Sequence, residues 1–359
     1  MSSNNLPVFF LFISLLFSVP GLSVAQTSDI DKLKGEIELE ELVDTTRINK
    51  LNKLSEMLIR AGNLNESRLY IRKAIQQSNS SAFKEGFLNA LTNLTDYYLH
   101  QQKPDSAMTA ITEALSIASA PEERVRFLNL KATAYRMSGQ LIPALDTYNR
   151  ALHIADSLSD ERSQIGIQLN MATVYKTLGD FASAYEAYFN GLKHAETTGD
   201  SVRLAIIHNN IGDTYNSEEK YEEAKFHLEK SETLSYQTDL KSNLVRVYLN
   251  LGNTHSNLQN YDLAENYYNV AEELFSEIGD VSGKARVNYN RGLMMLDKGN
   301  ISDARTNLLA AYEESKRLDI MEGLFYSSYS LGKLESEQAN FSDAEDWYNI
   351  AEATARKMQ

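Results

Sequence analysis

Two stretches decide the fold: NMATVYKTLGDFASAYEAYFNGLKHA at residues 170–195 and NLGNTHSNLQNYDLAENYYNVAEEL at residues 250–274. Each has a small residue two places after its first Asn (Ala172, Gly252), another twelve later (Ala184, Ala264) and a third seven beyond that (Gly191, Ala271). Large residues such as Tyr175, Tyr188 and Tyr268 stand between them, and spacings of three, four and seven lie on one face of a helix. The middle small residue recurs at Ala184, Ala224, Ala264, Ala304 and Ala344, always 40 apart, and continues backwards through Ala144, Ala107 and Ser67 at intervals of 40, 37 and 40. Eight copies therefore run from about residue 48 to 359, at about 48–87, 88–124, 125–164, 165–204, 205–244, 245–284, 285–324 and 325–359.

Helix ends are marked within each copy. Gly62-Asn63, Gly179-Asp180 and Gly299-Asn300 pair a residue suited to a left-handed C-terminal turn with an N-cap side chain. Gly199-Asp200 and Gly279-Asp280 do the same between copies. Asn63 with Glu66, Asn300 with Asp303 and Asn340 with Asp343 echo a capping box. Each copy reads as two helices of roughly 17–18 residues, about 26 Å long. Pro104 and Pro143 fall in the first turn of a second helix, and Pro121 sits in the one shortened interval. A further helix over about Asp29–Leu42, within residues 26–47, is expected to cover the first copy.

This alternation of small residues at helix crossings with large ones between them resembles the tetratricopeptide repeat family. The usual period of that family is 34, so these helices are extended, like the forty-residue repeats of bacterial peptide-sensing regulators, MalT-type activators and cell-polarity adaptors. The resemblance implies an all-α, right-handed α-α superhelical solenoid of about eight helix pairs, with first helices lining a concave wall. A helix pair cannot bury its apolar face alone, so neighbours must stack. The final copy has no further helix to cover it, so it caps itself or is covered by a partner or a downstream segment.

The 359 residues carry 35 Lys and Arg against 49 Asp and Glu, a net charge of −14. An acidic surface has the wrong sign for phosphate backbones, which sets nucleic acid aside. There is no cysteine, and therefore no disulfide, thiolate zinc site or cysteine nucleophile. Residues 8–19, VFFLFISLLFSV, followed by Ser23-Val24-Ala25, have the form of an export signal over 1–25, although MSSNNLP lacks the usual Lys or Arg. A twelve-residue stretch with only Ser14 and Ser18 polar is short for a bilayer, so a periplasmic or extracellular protein is expected, with membrane anchoring by an uncleaved segment as the alternative.

Chemical motifs are sparse. The histidines His100, His153, His194, His208, His227 and His255 form neither HExxH nor an i, i+4 pair, so no metal or other cofactor is expected. S-x-x-K occurs at Ser81–Lys84 and Ser330–Lys333 without the elements that accompany it in penicillin-binding proteins. No catalytic constellation emerges, and an enzyme is not expected.

A polar ladder remains. Asn170, Asn210, Asn250 and Asn290 share one repeat position at 40-residue spacing, and Asn93 holds it in the second copy. In the resembling families this position faces the groove, where carboxamides, each donor and acceptor, clasp an extended peptide backbone. Asn209, Asp213 and Asn253 would add to that row, whereas the plain alternative is a solvated wall. Arg126, Arg246 and Arg286 occupy a position four residues earlier, where they either receive an acidic peptide group or pair with neighbouring Asp and Glu. Most of the 20 tyrosines fall on core positions, and Trp347 lies in the last helix. The leading expectation is an exported, non-enzymatic scaffold binding a peptide or protein partner. The alternative is the sensory ectodomain of a bacterial membrane signalling protein with a kinase or DNA-binding output.

Overall fold

The structure, a computed structural model, describes residues 24–39 and 44–358, all helices and short turns, with no strand among the described residues. The expected export segment lies outside these residues as far as Ser23. No described helix is long and apolar enough to cross a membrane. The chain divides into two compact units at Ile207/His208.

In the first unit, α1 (Val24–Leu39) precedes α2 (Thr45–Arg60) and α3 (Leu64–Ser80), α4 (Lys84–His100) and α5 (Pro104–Ile117), α6 (Pro121–Met137) and α7 (Leu141–Ser157), and α8 (Glu161–Thr177) and α9 (Phe181–Thr198). Helix α10 (Ser201–Ser217) contains the division. The second unit continues with α11 (Tyr221–Gln237), α12 (Lys241–Asn257) and α13 (Tyr261–Glu277), α14 (Gly283–Asp297) and α15 (Ile301–Arg317), and α16 (Met321–Glu337) and α17 (Phe341–Met358). Helices α1 to α9 pack each on the next in one unit, and α11 to α17 do so in the other. First helices also touch the first helices of adjacent pairs, α2 on α4 and α6 on α8 in one unit, α12 on α14 and α14 on α16 in the other. Each unit is thus a short solenoid of helix pairs.

Some boundaries differ from the sequence-based expectation. The leading helix begins at Val24 rather than about Asp29 and is described as Val24–Leu39, with the expected end at Leu42 outside the described residues; it buries Ile30 and Ile37 beside Leu51, Leu54 and Leu58. The first pair starts at Thr45 because the Asp44 carboxylate accepts a hydrogen bond from the Arg47 amide at 2.8 Å. Helix α5 has only 14 residues, since Pro121 opens α6 and the preceding Ala118 and Ala120 are extended. Where the chain leaves helices the left-handed turn appears at Gly62, Gly179 and Gly299, but also at Ala82, Glu219 and Gln259. The repeat geometry holds that turn even where a Cβ opposes it.

The small positions are small for a packing reason. A Cβ on Gly252 would lie 2.4 Å from Cε1 of Tyr268, a fully buried ring of the following helix. Tyr148 and Tyr188 fill the matching place in the first unit and are equally buried, so these tyrosines are core.

Candidate functional site

Helix α12 shows which face remains open. From Asn243 to Ser256 every side chain is buried except Arg246, Asn250 and Asn253, which are half-buried, as is Asn257 beyond them. Steps of four, three and four align these residues in one strip along the helix. The same register on α14 gives Arg286, Asn290, Leu293 and Asp297. On α6 it gives Arg126, Leu130, Thr133 and Met137, and on α8 Gly166, Asn170, Thr173 and Thr177, all half-buried.

Much of the expected ladder is bonded from repeat to repeat. Asn250 Nδ2 donates to Asn209 Oδ1 at 3.0 Å, Arg246 Nη2 donates to Asn210 Oδ1 at 3.0 Å, and Asn209 Nδ2 reaches the same Asn210 oxygen at 3.4 Å. Two side chains one turn apart on α12 thus grip two consecutive asparagines of α10. In the first unit Asn170 Nδ2 donates to Asn129 Oδ1 at 3.0 Å, and Asn93 Nδ2 donates to the Asn52 carbonyl and Ser55 Oγ, both at 2.8 Å. The offset is 41 residues for Asn93, Asn170 and Asn250 alike: the carboxamide of one repeat meets the residue just before the same slot in the preceding repeat.

The expected row of carboxamides facing a ligand is corrected accordingly. Asn209 is fully buried, and Asn93 and Asn210 are 6% and 9% exposed, because the neighbouring first helix covers them. Asn253, half-buried, accepts a hydrogen bond from Tyr268 Oη at 2.8 Å. Asp213 is half-buried on the strip, and Asn290 and Asn257 are half-buried with no side-chain hydrogen bond among the described residues. The arginines split: Arg126 donates to Asn89 Oδ1 at 2.8 Å and Arg246 to Asn210, whereas Arg286 meets an acid, Asp280, at 2.8 Å. Arg286 also lies over the Phe275 ring, and burial pulls its pKa down against the opposing pull of Asp280.

Sequence reasoning missed Asn52, Asn89, Asn129 and Asn257. For Asn52 and Asn129 the signal was the 41-residue offset, one residue away from the period that revealed the repeats.

Electrostatics single out two groups on the same register of the first unit. Burial, helped by the nearby Glu56 carboxylate and opposed by Arg60 and Arg126, pushes Asp96 up to about 7. One turn along, burial pulls His100 down to about 4. In the second unit His208 and His227 face each other, Nδ1 to Nδ1, at 2.9 Å, and burial lowers both to about 4. Among the described residues no group of three or more His, Asp or Glu could hold a metal ion.

The tetratricopeptide repeat model matches residues 205–238 and 245–276. No curated protein matches the chain. Among solved structures, the Rap protein complexed with competence and sporulation factor aligns with a TM-score of 0.68 at 14% identity, over 92% of either chain. The apo form of the quorum sensor NprR from B. thuringiensis gives 0.67 at 18% identity, over 92% of this chain and 93% of that one. Aspartyl phosphate phosphatase F from Bacillus subtilis gives 0.65 at 16% identity, over 92% of this chain and 88% of that one. These likenesses are of fold. Residues 205–238 and 245–276 are thus tetratricopeptide repeats, and the 40-residue period carries the same pattern along the sequence.

Proposed function

We propose that the protein is an exported, non-enzymatic scaffold that holds an extended segment of a peptide or protein partner along the strip of its first helices. One observation carries this reading. On a helix whose central residues are otherwise buried, the open line is Arg246, Asn250, Asn253 and Asn257, four side chains rich in hydrogen-bonding groups and free of bulky apolar surface. Packed helices lie about 8–10 Å apart, and an extended chain rises about 3.3 Å per residue. One repeat therefore matches about three ligand residues, and where the slot holds a carboxamide, as at Asn170, Asn250 and Asn290, it meets an equivalent backbone group of the ligand.

The cross-repeat bonds serve this reading. They fix the orientation of the strip before a ligand arrives, which lowers the ordering cost of binding. The Rap and NprR structures support a binding role by sharing the fold, one of them in complex with competence and sporulation factor. At 16% identity the phosphatase among the similar structures speaks for the fold alone. Support for export is the apolar run 8–19 with its small-residue exit.

A photo-crosslinking amino acid at position 257, compared with one at the exposed Phe226 of α11, tests the surface in native extract. Adducts formed from 257 and absent from 226 are expected. Equal labelling from both positions, or adducts from 226 alone, would overturn the assignment.

A further inference from the structure

Recurring positions in a repeat protein are explained by packing; a patch in one repeat that its successor lacks needs another account. Such a patch lies in the second unit, away from the strip, where the end of α11 and the start of α12 meet α13. It is a pocket of about 260 Å³. Leu244 and Leu274 line it from the apolar core, and Val270 and Tyr236 add surface that is 38% and 62% exposed.

Tyr236 is an exposed aromatic ring, yet it is tethered: the buried Tyr248 donates its hydroxyl to Tyr236 Oη at 2.6 Å. Forty residues on, Tyr236, Leu244, Val270 and Leu274 are replaced by Ser276, Lys284, Ala310 and Glu314. The apolar pocket is thus a departure from the repeat, in a place where the next copy folds with polar residues.

The remaining lining residues set the charge. Asp239, Glu273 and Glu277 stand against Lys241, three negative charges against one positive, a net −2. Lys241 is engaged by Glu277 in an ion pair and also feels the field of Asp239, so its charge is not available to an incoming anion. Acids beside a fixed aromatic face favour a cation, through direct attraction and through the ring quadrupole.

We infer that this pocket is a binding site for a small organic cation with an apolar body, an aryl- or alkylammonium compound, independent of the peptide strip. The volume is slightly below the usual ligand-pocket range and suits a fragment of about ten heavy atoms, whose dissociation constant would be on the order of 1 mM.

The test is a ligand-observed NMR titration of the full chain with three probes of one shape: 2-phenylethylamine, 2-phenylethanol and 3-phenylpropionate. The amine should saturate below about 20 mM and bind about threefold to tenfold more tightly than the alcohol, with the carboxylate weakest. Tyr236→Ser, which installs the residue of the next repeat, should weaken the amine at least about fivefold, and Glu273→Lys should erase or reverse the order of amine and carboxylate. Both changes are on exposed side chains, and an unchanged helical spectrum confirms the fold. Equal binding of the three probes, no saturation by the amine, or titrations that neither variant alters would overturn the inference.

Discussion

At the scale of single residues, position within a repeat decides what an asparagine does. Asn209 and Asn290 differ by little in sequence terms, but the first is sealed between two first helices and accepts from Asn250, whereas the second lies on the open strip. Asn209→Ala should cost about 1–3 kcal/mol in chemical denaturation, because the Asn250 donor is left without its acceptor. Asn290→Ala should stay within about 0.5 kcal/mol. Asp96 offers a pH test. Its folded pKa of about 7 lies above the ordinary 3.8, so the folded state binds its proton more tightly than the unfolded chain does. The charged form is therefore a liability that grows as pH rises from about 4 to about 7. Asp96→Asn should leave stability unchanged at pH 3.5 and raise it by about 1–2 kcal/mol at pH 8, allowing for partial solvent screening. Denaturation midpoints at the two pH values check this, and a gain of equal size at both would contradict it. The asparagine ladder was legible as a 40-residue column. Its bonding was not, since the partner sits one residue off that column and belongs to another helix.

At the scale of helices, glycines separate packing from propensity. Gly166 in α8 has open space where a Cβ would go, so Gly166→Ala should gain about 0.5–1 kcal/mol of helix stability. Gly252 in α12 faces the buried Tyr268 ring at 2.4 Å, and overpacking costs of about 1–3 kcal/mol should exceed the same propensity gain. Thermal unfolding of the two variants should move in opposite directions; a shift of both to higher temperature would remove the packing account. Helix ends were legible where glycine marked them. The turns at Ala82, Glu219 and Gln259 were not, because a non-glycine residue gives no sign of positive φ and the stacked neighbours impose it. The start of α2 was misplaced because the Asp44 N-cap, not the apolar pattern, sets it.

At the scale of the whole molecule, the 40-residue period reads a length of 359 residues as a count of repeats. Periodicity exposed the repeats because each must bury its face on the next. It concealed the cation pocket, because only a departure from the period, Tyr236 with its apolar neighbours, distinguishes that junction from the one after it. The strip is the central claim, and Asn257 and Asn290 test it most cleanly because neither is tied into a cross-repeat bond among the described residues. The direct measurement is the affinity of a segment captured by crosslinking at position 257, for the native chain and for the double change Asn257→Ala with Asn290→Ala. Loss of two hydrogen bonds of about 1 kcal/mol each predicts a dissociation constant raised about tenfold to thirtyfold at an unchanged melting temperature. An unchanged dissociation constant in a folded double variant would contradict the account.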